Sequence, residues 1–278
     1  MSLRINTNVQ ALFGHRMMHK NDMAISKSLE KLSSGFKINR AGDNPAGLII
    51  SEQLRAQLGG LEQAQANTEQ AVAMVQTAEG ALDEMSSLLT KAKKLALSSL
   101  STATTDQSQA SANNVELQNI ISSINRISSQ TQYAGSKLLD GSFSAKIVQL
   151  GAFTGQDTSI TISSMAASAF VGTTSLAAAQ ISDSASVTAA LSAIEVAITA
   201  VSTARGNLGA IQSNSLETTL NSLRTSYENL SAAESIVRNV DFAAESANFT
   251  RNQILVQSAT AMLAQANQLP QNVLKLIG

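Results

Sequence analysis

A mainly α chain, built as a long antiparallel helical bundle or coiled coil with one small β-hairpin, is what three features of these 278 residues predict. Only two prolines occur and aromatic residues make up 3%, so helices can run uninterrupted and a core must be layered from small and aliphatic side chains. Charged residues reach only 14%, against about a quarter in ordinary globular domains. The third feature is a heptad pattern that persists from Leu54 to Ser99. Together these disfavour β-sandwiches and globular α/β enzymes.

The elements follow in chain order. An N-terminal helix carries one apolar stripe through Ile5, Val9, Leu12, Met18, Ile25, Leu29 and Leu32. Gly42-Asp-Asn-Pro-Ala-Gly47 then reads as a turn, with Asp43 or Asn44 capping the next helix and Pro45 in its first position. From Leu54 the sevenfold row Leu61, Thr68, Val75, Leu82, Leu89, Ala96 and a second row Gln57, Ala64, Ala71, Ala78, Met85, Ala92, Ser99 predict a helix from about Pro45 to Leu100. Such a helix is on the order of 80 Å long. A Ser/Thr loop at 101–109 precedes a shorter helix marked by Leu117, Ile120, Ile124 and Ile127, which folds back on the first. Short strands at 145–150 and 158–162 flank a Gly-bounded turn, and residues 163–184, rich in Ala, Ser and Thr without periodicity, read as a surface connection.

Helical spacing returns with Val187, Leu191, Ile194, Ile198, Val201 and Leu208. It slips near Gly206 and Gly209 and resumes as Leu216, Leu220, Leu223, Tyr227 and Leu230. The last forty residues carry three apolar rows at once: Phe242, Phe249, Val256, Leu263; Leu255, Met262, Leu269, Leu276; and Ala247, Ile254, Ala261. The organisation is therefore 1–44 and 236–278 as two halves of one terminal helical domain. Between them, 45–184 (helices, hairpin and surface connection) and 185–235 form a rod domain.

A helix apolar nearly all round must be covered from several sides, and one N-terminal stripe cannot cover three rows. Interspersed Asn, Gln, Arg and Ser make lipid the poorer cover, so the termini are read as built for self-assembly with other copies. No stretch approaches the ~20 apolar residues of a membrane span, and Met1–Gly14 has no secretory signal pattern.

Catalytic and cofactor chemistry finds no footing. No cysteine is present, which removes disulfides, thiolate metal sites and thiol nucleophiles. His15 and His19 stand at i and i+4, but Arg16 replaces the glutamate a metalloprotease needs, and two ligands close no metal site. The phosphate-loop skeleton at Gly42–Gly47 is followed by Leu48 and Ile49 where Lys and Ser/Thr are required. Residues 1–40 carry seven Lys/Arg against Asp22 and Glu30, without the interleaved aromatics of a nucleic-acid surface. The expectation is a non-enzyme with no cofactor, no metal, no nucleic-acid partner and no membrane.

The segments LSSGFKINRAGDNPAGLIISEQLRAQ (Leu32–Gln57), QTAEGALDEM (Gln76–Met85), INRISSQTQYAGSKLLDG (Ile124–Gly141), AAESIVRNVDFAAE and AMLAQANQLPQNVLKLIG (Ala261–Gly278) resemble bacterial flagellin. The resemblance covers nearly all of the chain except about residues 163–184, and implies a short form without extra outer domains. It implies termini paired as a coiled coil in the polymer, and a structural subunit of the extracellular flagellar filament, the helical propeller of swimming motility. It further implies export through the flagellar type III apparatus without a cleaved signal peptide, an export chaperone, a filament cap and hook-filament junction proteins as partners.

The self-assembly residues so expected are Ile5, Val9, Leu12, Ile25, Leu29, Leu32, Phe249, Ile254, Leu255, Val256, Met262, Leu263 and Leu269, with the rod seam at Leu54, Leu61, Val75, Leu82 and Leu89. A surface resembling the one read by the vertebrate flagellin receptor maps to Lys91–Ser98 and Glu116. Leu95 and Glu116 keep that pattern, while Lys91 stands where Arg is usual and Ser98 where Gln is usual. Lys lacks the planar fork of Arg, so weak recognition is implied. The alternatives are a hook-filament junction protein, which shares similar terminal helices, and a membrane-active type III translocator.

Overall fold

The computed structural model describes residues 7–101, 106–172 and 174–277. Six helices carry the fold: α1 (Val9–Ser34), α2 (Pro45–Leu100), α3 (Gln107–Gln130), α4 (Ser184–Ala210), α5 (Thr218–Arg238) and α6 (Phe242–Ile277). Strands β1 (Gln132–Tyr133) and β2 (Ser136–Lys137) form one antiparallel pair. Strands β3 (Lys146–Gln149) and β4 (Asp157–Ile160) form a second, with Lys146 opposite Ile160 and Gln149 opposite Asp157. The chain divides into two compact units, one of Met1–Gln57 with Asn229–Gly278, the other of Leu58–Glu228.

The larger unit, 58–228, is held by the heptad rows of α2. Thr68, Val75, Leu82, Leu89, Ala78, Met85 and Ala96 are completely buried, and Leu61, Ala64, Ala71, Ala92 and Ser99 nearly so. Leu54, the first expected seam position, is half-buried and belongs to the other unit. Thr68 is tolerated in this apolar row because its hydroxyl donates to the Ala64 carbonyl one turn back (2.7 Å). Against this row pack Leu117, Ile120, Ile121 and Ile124 of α3 and Val187, Ile194, Val201 and Leu208 of α4. α2 runs antiparallel to the returning helices: Lys93 pairs with Glu195 (3.0 Å), Asp83 with Arg205 (2.9 Å) and Glu69 with Arg224 (2.9 Å). These pairs are exposed, so they fix register more than they add stability.

Two expectations are corrected here. Residues 163–184 are not a surface connection: Met165, Ala167, Phe170, Leu176, Ala179 and Ile181 are 0–3% exposed and join the core. The reason is hydrogen bonding rather than periodicity. Along one face of α3, Asn125 accepts from the Ala167 N–H (2.9 Å), Gln118 donates to the Ala179 carbonyl (2.8 Å), and Asn114 accepts from the Ile181 N–H (3.0 Å), while Ser128 donates to the Leu139 carbonyl ahead of the hairpin (2.8 Å). Each satisfies a backbone group that would otherwise be costly to bury, which lets an irregular segment lie against the helix. The second concerns membrane spans. The continuous helix Ala185–Arg238 is long and apolar enough to cross a membrane, with a mean hydropathy of 1.6 in its most apolar window. Its apolar residues Ala190, Ala193, Ile194, Ala197 and Val201 are instead packed in the core, at most 1% exposed.

The slip expected near Gly206 and Gly209 is a π-helical turn, Ile211–Glu217, between α4 and α5. The expected β-hairpin is present as β3–β4; the β1–β2 pair was not anticipated.

Replacing Phe170 by Ala should lower the stability of this unit by about 3–5 kcal/mol, the usual cost of emptying a buried aromatic site. Urea unfolding followed by circular dichroism measures it; a change below about 1 kcal/mol would return the segment to the surface.

Candidate self-assembly surface

The smaller unit is built on the antiparallel pair α1–α6. Asn8 caps α1, accepting from the Ala11 N–H (3.0 Å), and its amide donates to the Ala266 carbonyl (2.8 Å) on α6. At the other end Ser28 donates to Glu245 (2.6 Å), and Lys31 approaches the same carboxylate (3.5 Å). Glu245 lies in the first turn of α6, where a negative charge also favours the helix dipole. Between these ends the helices come close at Gly14. A Cβ on Gly14 would stand 3.1 Å from Leu263 Cδ1.

Where the two helices leave the pair, their backbones are tied. Gly35 ends α1 with φ +76°, a left-handed cap that favours glycine, its N–H donating to the Lys31 carbonyl (2.9 Å). Phe36 and Asn239 form an antiparallel bridge: the Lys37 N–H donates to the Arg238 carbonyl (2.7 Å) and the Val240 N–H to the Gly35 carbonyl (2.9 Å). The Arg238 guanidinium lies 4.7 Å over the Phe36 ring and binds Glu52 (3.0 Å). In the turn that follows, Asn44 caps α2 by accepting from the Gly47 N–H (3.0 Å), as the sequence allowed. Asp43 closes the turn instead, accepting from the Asn39 and Arg40 N–H groups (3.2 and 3.1 Å) and pairing with Lys27 (2.7 Å). The Lys27 contact, then the backbone donor of Arg40, lowers the Asp43 carboxyl to about 2.

The predicted assembly residues separate into two groups. Ile25, Leu32, Phe249, Val256 and Leu263 are half-buried along the α1–α6 pair. Val9, Leu12, Leu29, Ile254, Leu255 and Met262 are 43–68% exposed. The single N-terminal stripe is thereby corrected. The α1 seam follows Ala11-Met18-Ile25-Leu32 and Gly14-Asn21-Ser28, both at heptad spacing, so Val9, Leu12 and Leu29 fall on other faces. Ile5 lies outside the described residues, and so does the side chain of Leu269. Phe242, which opens one of the predicted rows, is 57% exposed; Phe13 and Met23, 54% and 57% exposed, lie outside the predicted stripe, and their apolarity beside it is the available signal. Val9, Phe13, Met17, Ala259, Met262 and Ala266 border an open apolar groove of about 590 Å³.

The balance of burial is the decisive feature. Among the described residues of this unit, Ile38 is the sole fully buried apolar side chain. The receptor-like residues lie in the other unit, where Lys91 and Glu116 are paired (2.7 Å) and Leu95 is half-buried on the same helix. His15 and His19 are exposed, and no group of three or more His, Asp or Glu among the described residues could hold a metal.

A long heptad helix in a well-filled core, with a terminal helix pair left apolar on its outer faces, is the build of a structural subunit that associates with other copies. Family models agree: the bacterial flagellin N-terminal helical region matches residues 5–144 and the C-terminal helical region residues 191–277. The chain belongs to the bacterial flagellin family. It is 45% identical over 273 residues to a flagellin of Halalkalibacterium halodurans, covering 98% of this chain and 99% of that one. It is 40% identical over 304 residues to a flagellin of Bacillus subtilis, covering 99% and 100%. A flagellar filament 30.7 kDa core protein of Treponema maltophilum is 38% identical over 284 residues, covering 98% and 99%.

Because the Asp43 carboxyl is lowered in the folded chain, its contribution is full above its ordinary value of 3.8 and is lost as pH falls towards about 2. Titrating the Asp43 carboxyl by NMR should place its midpoint near 2. In Lys27→Ala the midpoint should move up towards 3.8; no movement would detach the shift from Lys27.

Proposed function

We propose that this chain is the structural subunit that self-assembles into the bacterial flagellar filament, and that the outer faces of α1 and α6 are the contacts between copies. The observation that supports this most directly is the poverty of buried apolar residues in the terminal unit. Ordering the backbone costs about 1–2 kcal/mol per residue. One buried isoleucine and a seam whose larger members, Met18, Ile25, Leu32, Phe249, Val256 and Leu263, are only half-buried offset little of that over two long helices. Burying Leu12, Phe13, Ile254, Leu255 and Met262 against neighbours would contribute about 1.5–3 kcal/mol for each fully covered side chain. Folding of the terminal pair and polymerisation are then one coupled event.

Membership of the family supports the remaining roles: export through the type III apparatus without a cleaved signal peptide, a chaperone that shields α6 before assembly, and a cap and junction proteins at the two ends of the filament. Weak engagement of the vertebrate flagellin receptor through Lys91, Leu95 and Glu116 is part of the same proposal. Flagellin and filament core proteins among the relatives disfavour the junction-protein alternative.

Ile254→Asp should abolish polymerisation while leaving the 58–228 unit folded, because this side chain is 56% exposed in the isolated subunit and a carboxylate in a dry interface costs several kcal/mol. Seeded polymerisation followed by electron microscopy, with circular dichroism of the monomer, separates the two effects. Normal filaments would remove Ile254 from any interface; liposome leakage by the monomer would point to the translocator reading.

The same balance predicts that protease trims the dilute monomer to a fragment near residues 45–235, while the polymer protects both ends. Mass spectrometry of the limit digest reads the boundaries. Equal resistance of α1 and α6 in monomer and polymer would sink the coupling of folding to assembly.

A further inference from the structure

The returning helix holds one residue more than its packing needs. Its buried row steps by seven through Val187, Ile194, Val201 and Leu208, then by eight to Leu216, then by seven again to Leu223. The row beside it behaves alike: Ala190, Ala197, Ala204 and Ile211 are followed after eight residues by Thr219. Each α-helical residue turns the chain by about 100°, so an uncompensated extra residue would swing every later seam residue off α2. The π turn Ile211–Glu217 lies where both rows take the long step. Its wider turn absorbs the extra residue.

Side chains of span five hold that geometry. Gln212 donates to Glu217 (2.9 Å), and the Thr218 hydroxyl donates to the Ser213 carbonyl (3.1 Å). In a regular α-helix the neighbours along the face are three and four apart, not five. The flanking sequence is weak as helix: Gly206 and Gly209 precede the turn, and Ser213, Asn214 and Ser215 lie within it. Neither glycine is required by space, since a Cβ built on either meets nothing within 4 Å. Close packing therefore does not account for them, and their effect is to weaken the helix on the approach to the turn.

We infer that residues 206–218 are a built-in register device: the π turn takes up one residue as the loosest-held stretch of the returning helix, so that α4 and α5 both keep their seams on α2 and one residue can be lost there without displacing either. The inference is independent of how copies of the chain assemble.

Single-residue deletions test it in the full chain. Beyond both the deletion and the π turn, the two changes of phase cancel, so only seam residues lying between them are misplaced. Deleting Asn214, exposed and inside the turn, misplaces none. Deleting Thr203 misplaces the fully buried Leu208, and deleting Thr199 misplaces both Val201 and Leu208. Melting midpoints should therefore fall in the order Asn214 deletion, Thr203 deletion, Thr199 deletion, with the first close to the parent. In the parent, amide hydrogens of 211–217 should exchange at least about tenfold faster than those of 194–201, and the Asn214 deletion should close that gap. The Gly206→Ala, Gly209→Ala double variant should slow exchange across 206–217. An Asn214 deletion as destabilising as the Thr199 deletion, or exchange at 211–217 no faster than at 194–201, would overturn the device.

Discussion

The heptad seam of α2 is the constraint on which the larger unit depends. Between Ala64 and Ala96 its inward positions are essentially without solvent contact, and every other piece of that unit is placed by what it can lay against them. Alternation of Leu82, Met85 and Leu89 with Ala78, Ala92 and Ala96 gives a surface of bulky and thin sites. α3 and α4 close over it with Leu117, Ile120, Ile124, Ile194 and Leu208, in one close-packed core. The register fixed there propagates outward through Lys93–Glu195, Asp83–Arg205 and Glu69–Arg224, whose positions along α2 descend as those of their partners ascend.

The terminal pair follows a different rule. Its seam repeats at the same period, but one row is Gly14, Asn21 and Ser28, and the larger side chains of the other, Met18, Ile25 and Leu32, are only half-buried. Hydrogen bonds at each end, from Asn8 to Ala266 and from Ser28 to Glu245, set which helix faces which. Specificity of pairing is thus supplied within the subunit, while other large apolar residues are kept on the outside. That is the arrangement expected where the hydrophobic gain is reserved for association.

Sequence periodicity captured what periodicity encodes. The α2 rows, the shorter α3, the β3–β4 hairpin and the Asn44-Pro45 helix start are all read from spacing, turn residues and capping chemistry, and the structure contains each of them. Failures came where the determinant was not apolar spacing. The segment after the hairpin is buried because Asn114, Gln118 and Asn125 of α3 satisfy its backbone, a pairing between distant residues that no local pattern reveals. On α1 the reason is related: counting large apolar residues selects Val9, Leu12 and Leu29 along with the seam members Met18, Ile25 and Leu32, and passes over Gly14, Asn21 and Ser28, the second seam row.

These two failures bear on function in opposite ways. Burial of Phe170, Leu176 and Ile181 removes the stretch after the hairpin from the exposed parts of the subunit, so insertions there would have to break a core. By contrast, the exposed turn Phe153-Thr154-Gly155 between β3 and β4 interrupts no buried residue. Exposure of Val9, Leu12 and Leu29 adds apolar surface to α1 that a simple two-helix seam would have concealed. Both helices of the pair, not α6 alone, therefore present faces to be covered. A polymer that buries them must place each pair among several neighbours rather than against a single partner, since Phe13 and Leu29, about 160° apart around α1, cannot meet one straight neighbour.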